Sequence, residues 1–101
     1  MVTLLLKKSY RHKDLKEIKF NDLWNAYGVF TTMRVIGKSA KILFYKSHID
    51  NLINSLKIYK IYKKNLKENI TNLIRANLKK NKNYDHLLRV ASNNKIISIS
   101  L

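Results

Sequence analysis

Apolar residues recur along this chain with two different periods, and the switch between them marks its elements. Over residues 29–36 the run Val-Phe-Thr-Thr-Met-Arg-Val-Ile alternates. Phe30, Thr32, Arg34 and Ile36 fall on one face, and Val29, Thr31, Met33 and Val35 on the other. Gly37, Lys38 and Ser39 supply turn residues before a second apolar run at 41–45, so the pattern predicts a β-hairpin. The period then lengthens: Ile49, Leu52, Ile53 and Leu56 sit at the i, i+3, i+4, i+7 spacing of an amphipathic helix. Ser47 and Asp50 have capping-box spacing, which sets the helix start near residue 47.

After the Lys63-Lys64 linker, Leu66, Ile70, Leu73, Ile74 and Leu78 form the stripe of a second helix, with Asn65 placed to cap it. Lys79, Lys80 and Lys82 follow its C-terminal end, where the helix dipole favours cations. Residues 84–91 and 95–101 read as two strands around Ser92-Asn93-Asn94, with Ile97 and Ile99 opposite Ser98 and Ser100. Residues 2–6 make a plausible first strand, whereas 7–19 are basic and polar without a clear period. The expectation is an α+β fold: a small sheet of hairpin strands with two helices packed on one face, in the order β-β-β-α-α-β-β. At 101 residues, one domain spanning 1–101 fits and two packed domains do not.

Charge adds a second question. The formal net charge is +15, a literal signal for polyanions. Lysine outnumbers arginine about four to one, however, and asparagine and isoleucine are also abundant. All three share A/T-rich codons, so a biased genome yields this profile without any partner. A hydrophobic fraction of 46% supports a folded core despite the charge. The chain has no cysteine, which fits a reducing, cytoplasmic setting, and no apolar run near its start is long enough for a membrane span.

Familiar catalytic patterns are missing. His12, His48 and His86 stand apart from one another, without carboxylates at metal-ligand spacing, so no metal is expected. There is no phosphate-cradling glycine loop and no serine in a nucleophile context, so no catalytic residue is assigned within the chain.

The stretch from Gly28 to Ile58, GVFTTMRVIGK followed by ILFYKSHIDNLINSLKI, resembles the N-terminal domain of the class IV pyridoxal-phosphate enzymes. That group includes branched-chain and D-amino-acid aminotransferases and 4-amino-4-deoxychorismate lyase. Its pattern is roughly G-x-G-V-F-E-x-x-R, a short hairpin, then a helix beginning H-x-x-R-L. The lyase branch often carries F-T-T-x-R-V, matched here by Phe30-Thr31-Thr32-Met33-Arg34-Val35. The resemblance thus implies an aminodeoxychorismate-lyase type, releasing pyruvate and 4-aminobenzoate, ahead of an aminotransferase passing an amino group to a keto acid.

Carried over position by position, the resemblance puts Phe30, Thr32 and Arg34 on the substrate side of a cofactor pocket, with Arg89 near the substrate carboxylate. An arginine fork suits that role because two parallel charge-assisted hydrogen bonds fix a carboxylate's orientation. The family's phosphate-gripping arginine falls on Asn51, and no lysine stands one helical turn away to replace it. The glycine-rich lead-in is reduced to Asn25-Ala26-Tyr27-Gly28. In this family the Schiff-base lysine belongs to a C-terminal domain, so pyridoxal 5'-phosphate, a small amino substrate and a homodimer are implied only with that second domain, and the chain by itself is expected to be inactive. The alternative is a small nucleic-acid-binding domain using Lys57, Lys60, Lys63, Lys64 and Lys67, with Tyr59 and Tyr62 stacking on bases.

Overall fold

The alternation around Thr32 and the apolar strands near the C-terminus together build the middle of a six-stranded antiparallel sheet. The structure is a computed structural model and describes residues 6–23, 28–61, 64–78 and 83–101. Its elements are β1 (Lys7–Arg11), β2 (Glu17–Ile18), β3 (Val29–Gly37), β4 (Lys41–Ile42), α1 (Tyr45–Ile58), α2 (Leu66–Asn77), β5 (Tyr84–Ser92) and β6 (Ile96–Ser100). The sheet order is β2-β1-β6-β5-β3-β4, so the two long strands β3 and β5 are neighbours near the centre. Their ladder runs from Val29 opposite Ser92 to Gly37 opposite Tyr84.

Both helices lie on one face of this sheet, the inner face, which makes the fold α+β. Met33 and Val35 of β3, Leu88 and Val90 of β5, and Ile97 and Ile99 of β6 form one core with Ile49, Leu52, Ile53 and Leu56 of α1 and Leu66, Ile70 and Ile74 of α2. Burying each such side chain is worth about 1.5–3 kcal/mol, so the stripe holds the helices far more firmly than propensity does. Polar ties fix their placement. Asn77 donates to the Tyr10 hydroxyl at 2.7 Å, anchoring the end of α2 to β1, while Thr31 Oγ1 and His48 Nδ1 lie 3.1 Å apart and join β3 to α1. Lys67 reaches Asp50 at 2.7 Å across the two helices.

Several boundaries differ from the sequence expectation. Of the strand expected over 2–6, only Leu6 is described, and it is irregular and buried. The aperiodic stretch 7–19 instead holds the β1–β2 hairpin, in which Ser9 pairs with Ile18 and Tyr10 with Glu17. The strand was hidden because Lys7, Ser9 and Arg11 on one face oppose Lys8 and Tyr10 on the other, so neither face is distinctly apolar. There is therefore one strand more than expected before the helices. The partner strand expected over 41–45 shrinks to Lys41–Ile42, extended by a bond from Leu43 N–H to the Arg34 carbonyl at 2.9 Å.

Helix α1 begins at Tyr45, two residues before the expected start. Its N-cap is Phe44 in the left-handed region, and no side chain caps it. Asp50 is engaged with Lys67 rather than with a capping box. Asn65 does occupy the N-cap of α2, but at φ 65° its side chain makes no capping bond. Asparagine is among the few residues that tolerate this conformation. The lead-in residues Asn25, Ala26 and Tyr27, the linker residues Tyr62 and Lys63, and Lys79, Lys80 and Lys82 lie outside the described residues.

Candidate functional site

Both helices lie on the inner face, so the opposite side of the sheet is the outer one. Cross-strand partners share a face, so the register lays out this outer face in rows. Phe30, Ala91, Ser98 and Ser9 form one row, and Thr32, Arg89, Ser100 and Lys7 form the next. Arg34 stands beside Leu87 beyond them. Phe30 and Leu87 are 57% and 61% exposed, whereas Met33 and Val35, on the same strand but facing inward, are at most 1% exposed.

Part of the outer face is crossed by the chain itself. Asn21 N–H donates to Ser9 Oγ at 2.9 Å, and Ser98 Oγ donates to the Asn21 carbonyl at 2.5 Å. Ser9 and Ser98 are themselves 2.7 Å apart, so this buried hydroxyl pair pins residues 20–23 over β1 and β6. Leu23 is buried there. Beside the strap lies a hollow of about 250 Å³ lined by Lys7, Phe20, Asp22, Leu87, Arg89 and Ser100.

Arg89 is the best-held side chain of the group. Its guanidinium carbon lies 5.0 Å from the centre of the Phe30 ring, and its Nη1 donates to the Asp22 carbonyl at 2.5 Å. Partial burial pulls its pKa down from the ordinary arginine value, with the Asp22 charge opposing, and a guanidinium stays charged nonetheless. Arg34 is different: it pairs with Asp85, and both side chains are more than half exposed. The Lys7 ammonium lies 5.5 Å from the centre of the Phe20 ring, at the other side of the hollow. Two cations, Lys7 and Arg89, thus share a small concave space with the carboxylate of Asp22.

The structure brings Phe30, Thr32, Arg34 and Arg89 onto one face and leaves Asn51 elsewhere. Asn51 is an exposed residue of α1, in the helical layer on the other side of the sheet. Lys7, Ser100 and the strap at 20–23 were not singled out from sequence. The alternation of Lys7, Ser9 and Arg11 would have revealed the first of them, had the stretch been recognised as a strand.

The class this defines is an α+β unit with one sheet face covered by helices and the other lined by arginine, threonine and an exposed aromatic ring. The amino-transferase class IV family profile matches residues 28–97, and the chain belongs to that family. No curated protein and no solved structure matches it significantly.

The family is generally dependent on pyridoxal phosphate. The described residues of this chain do not by themselves fit that cofactor. A phosphate needs cations or convergent N–H donors, and Asn51, which the resemblance sets against the family's arginine, is exposed and neutral. Its neighbours one turn away are Ser47, His48, Asn54 and Ser55, and His48 is already engaged with Thr31. Among the described residues no group of three or more histidines and carboxylates could hold a metal ion, and no helix is long and apolar enough to cross a membrane.

Proposed function

We propose that this chain is the substrate-side wall of a class IV enzyme of the aminodeoxychorismate-lyase type, completed by a second domain that carries the Schiff-base lysine. One observation carries the reading: Thr32 and Arg89 pair across β3 and β5, with Phe30 against the guanidinium, on the face that the helices leave uncovered. Of the two threonines in the lyase-like motif, Thr31 points inward to His48 and Thr32 points outward, so only Thr32 is available to substrate.

In this reading Arg89 fixes the carboxylate of an amino substrate through its fork, and Phe30 packs against the guanidinium and limits its rotamers. Arg34 contributes charge at the rim, and Thr32 offers a hydroxyl that donates or accepts beside the reacting carbon. The wall excludes water only when its opposite is in place, so the chain alone is inactive. The same reading makes the assembled protein a cytoplasmic homodimer. Asn51 lies on the helical side of the sheet, away from this wall, and carries no charge, so retention of the cofactor falls to residues outside this chain.

The test is to read the coding sequence past the Leu101 codon, purify the native protein and weigh it. A second domain or a co-purifying chain, a visible cofactor absorbance, and pyruvate release from aminodeoxychorismate are expected. Amino transfer to a keto acid in place of pyruvate release would overturn the lyase assignment. A native protein with no second domain, no partner and no cofactor would overturn the whole reading. The nucleic-acid alternative draws on Tyr59, 48% exposed between the exposed Lys57 and Lys60. It requires oligonucleotide affinity that falls about a thousandfold or more between 50 and 200 mM salt.

A further inference from the structure

A second concavity lies away from the outer face, where the turn after β3 meets the two helices. It holds about 430 Å³ and is walled by Ile42, Ile74 and Leu78, with Tyr45, Thr71 and Arg75 supplying the polar groups. That volume is within the range of small-molecule pockets, as is the composition: an apolar body with a few convergent polar atoms.

We propose that this hollow binds a small amphipathic carboxylate, an aryl or branched-alkyl acid, with its apolar part against Ile42, Ile74 and Leu78 and its carboxylate at Arg75. The polar groups are arranged for this. Tyr45 and Thr71 share one hydrogen bond, their oxygens 2.5 Å apart. Whichever hydroxyl donates, the proton of the other remains available to an acceptor. Arg75 is exposed and makes no ion pair among the described residues. It also borders an adjoining polar depression lined by Lys67, Glu68, Thr71 and Asn72. Lys67 is paired there with Asp50, so Arg75 is the cation that the apolar hollow offers a ligand. Burial raises the Tyr45 pKa against the opposing Thr71 bond and the Arg75 and Lys67 charges, which keeps the phenol protonated.

The lining comes from α2, the start of α1 and the β3–β4 turn. None of it belongs to the Phe30, Thr32, Arg34 and Arg89 face, so a ligand here acts at a distance from that wall.

The experiment titrates the isotopically labelled full chain with 4-phenylbutyrate and, separately, with the uncharged 4-phenylbutanamide, following backbone amide shifts. For a probe of about twelve non-hydrogen atoms the expected dissociation constant is on the order of 1 mM. Saturable shifts are expected at Ile42, Thr71, Ile74 and Arg75. The acid should bind about fivefold more tightly than the amide, the scale of one partly exposed ion pair. Arg75→Gln, a change at an exposed position, should remove the acid's advantage over the amide. Equal binding of acid and amide to the native chain, shifts centred on Thr32 and Arg89 instead, or no saturation at about tenfold higher concentration would each overturn the proposal.

Discussion

A methyl group on Gly28 would stand 2.6 Å from the carbonyl oxygen of Ser92, 3.2 Å from its carbonyl carbon and 3.3 Å from Asn93 Cβ. Ordinary contact begins at 3.4 Å, so the two segments must separate by 0.8 Å. The Ser92 side of the contact has little room to give. Ser92 is fully buried, pairs with Val29 on one side and Ile97 on the other, and its hydroxyl lies 2.8 Å from His12 Nε2. The turn that follows is held as well, since Asn93 Oδ1 accepts from both Lys95 N–H and Ile96 N–H at 2.8 Å. Overpacking of this kind costs about 1–3 kcal/mol, and the loss of glycine's freedom in the unfolded chain returns about 0.4–1 kcal/mol. Gly28→Ala should therefore lose about 1–2 kcal/mol net, which lowers Tm by about 4–8 °C per kcal/mol in a chain of this size. Urea and thermal unfolding followed by circular dichroism measure it. Gly37→Ala is the companion: at φ +77° with nothing within 4 Å, its penalty is backbone strain of about 1 kcal/mol without a clash. The two variants separate by amide shifts, spread over Ser92, Asn93 and Ile97 in the first and confined to the turn in the second. A Gly28→Ala chain as stable as the parent would refute the close approach of these strands.

Other outcomes follow from the same geometry. Phe30→Ala should change stability by at most about 1 kcal/mol, the scale of an exposed cation–π contact, whereas Met33→Ala should cost about 2–5 kcal/mol; chemical unfolding of both checks which face is buried. In the assembled enzyme the order should reverse, with Phe30→Ala lowering turnover more than its stability loss explains. The Arg11 hydrogen bond is the chief cause that lowers the Asp14 pKa from 3.8 to about 2. A depressed carboxylate contributes stability above its unfolded pKa and loses it as pH falls through the folded one, so the acid limb between pH 4 and 2 should flatten in Asp14→Asn, seen as a smaller pH dependence of the urea midpoint.

What was legible in the sequence followed the contrast between faces. β3 showed its alternation because Met33 and Val35 are fully buried while Thr32 and Arg34 are exposed, and both helices showed their stripes for the same reason. β1 did not, because its outer face is closed by a strap of chain through hydroxyls and a carbonyl rather than by apolar packing. A polar seam leaves no hydrophobic period to read. The start of α1 was misjudged for a related cause: Phe44, just after β4, enters the left-handed region, and no side chain caps the helix, whereas Asn65 does stand at the start of α2. The common face of Phe30, Thr32 and Arg34 was legible through strand period, and the β3–β5 register adds Arg89 to it. Lys7 and the strap required the register of β1 against β6, a pairing between opposite ends of the chain.

The two arginines of the outer face then differ in what they can do. Arg34 spends its charge on Asp85, with both side chains largely in water, and an exposed pair of that kind holds its members only loosely. Arg89 is fixed from two directions, by a carbonyl of the strap and by the Phe30 ring, with the Asp22 charge close by. An ion-binding group is most effective when its orientation is set before the ligand arrives, because little entropy is then lost on binding. The strap that carries the Asp22 carbonyl is itself held by the Ser9 and Ser98 hydroxyls, so these residues reach the site through Arg89. Replacing Ser98 by alanine should accordingly loosen the grip on a carboxylate without removing a charge. It would raise KM for the amino substrate in the assembled enzyme more than it lowers kcat, whereas loss of the Arg34 charge at the rim would show itself mainly as a changed salt dependence.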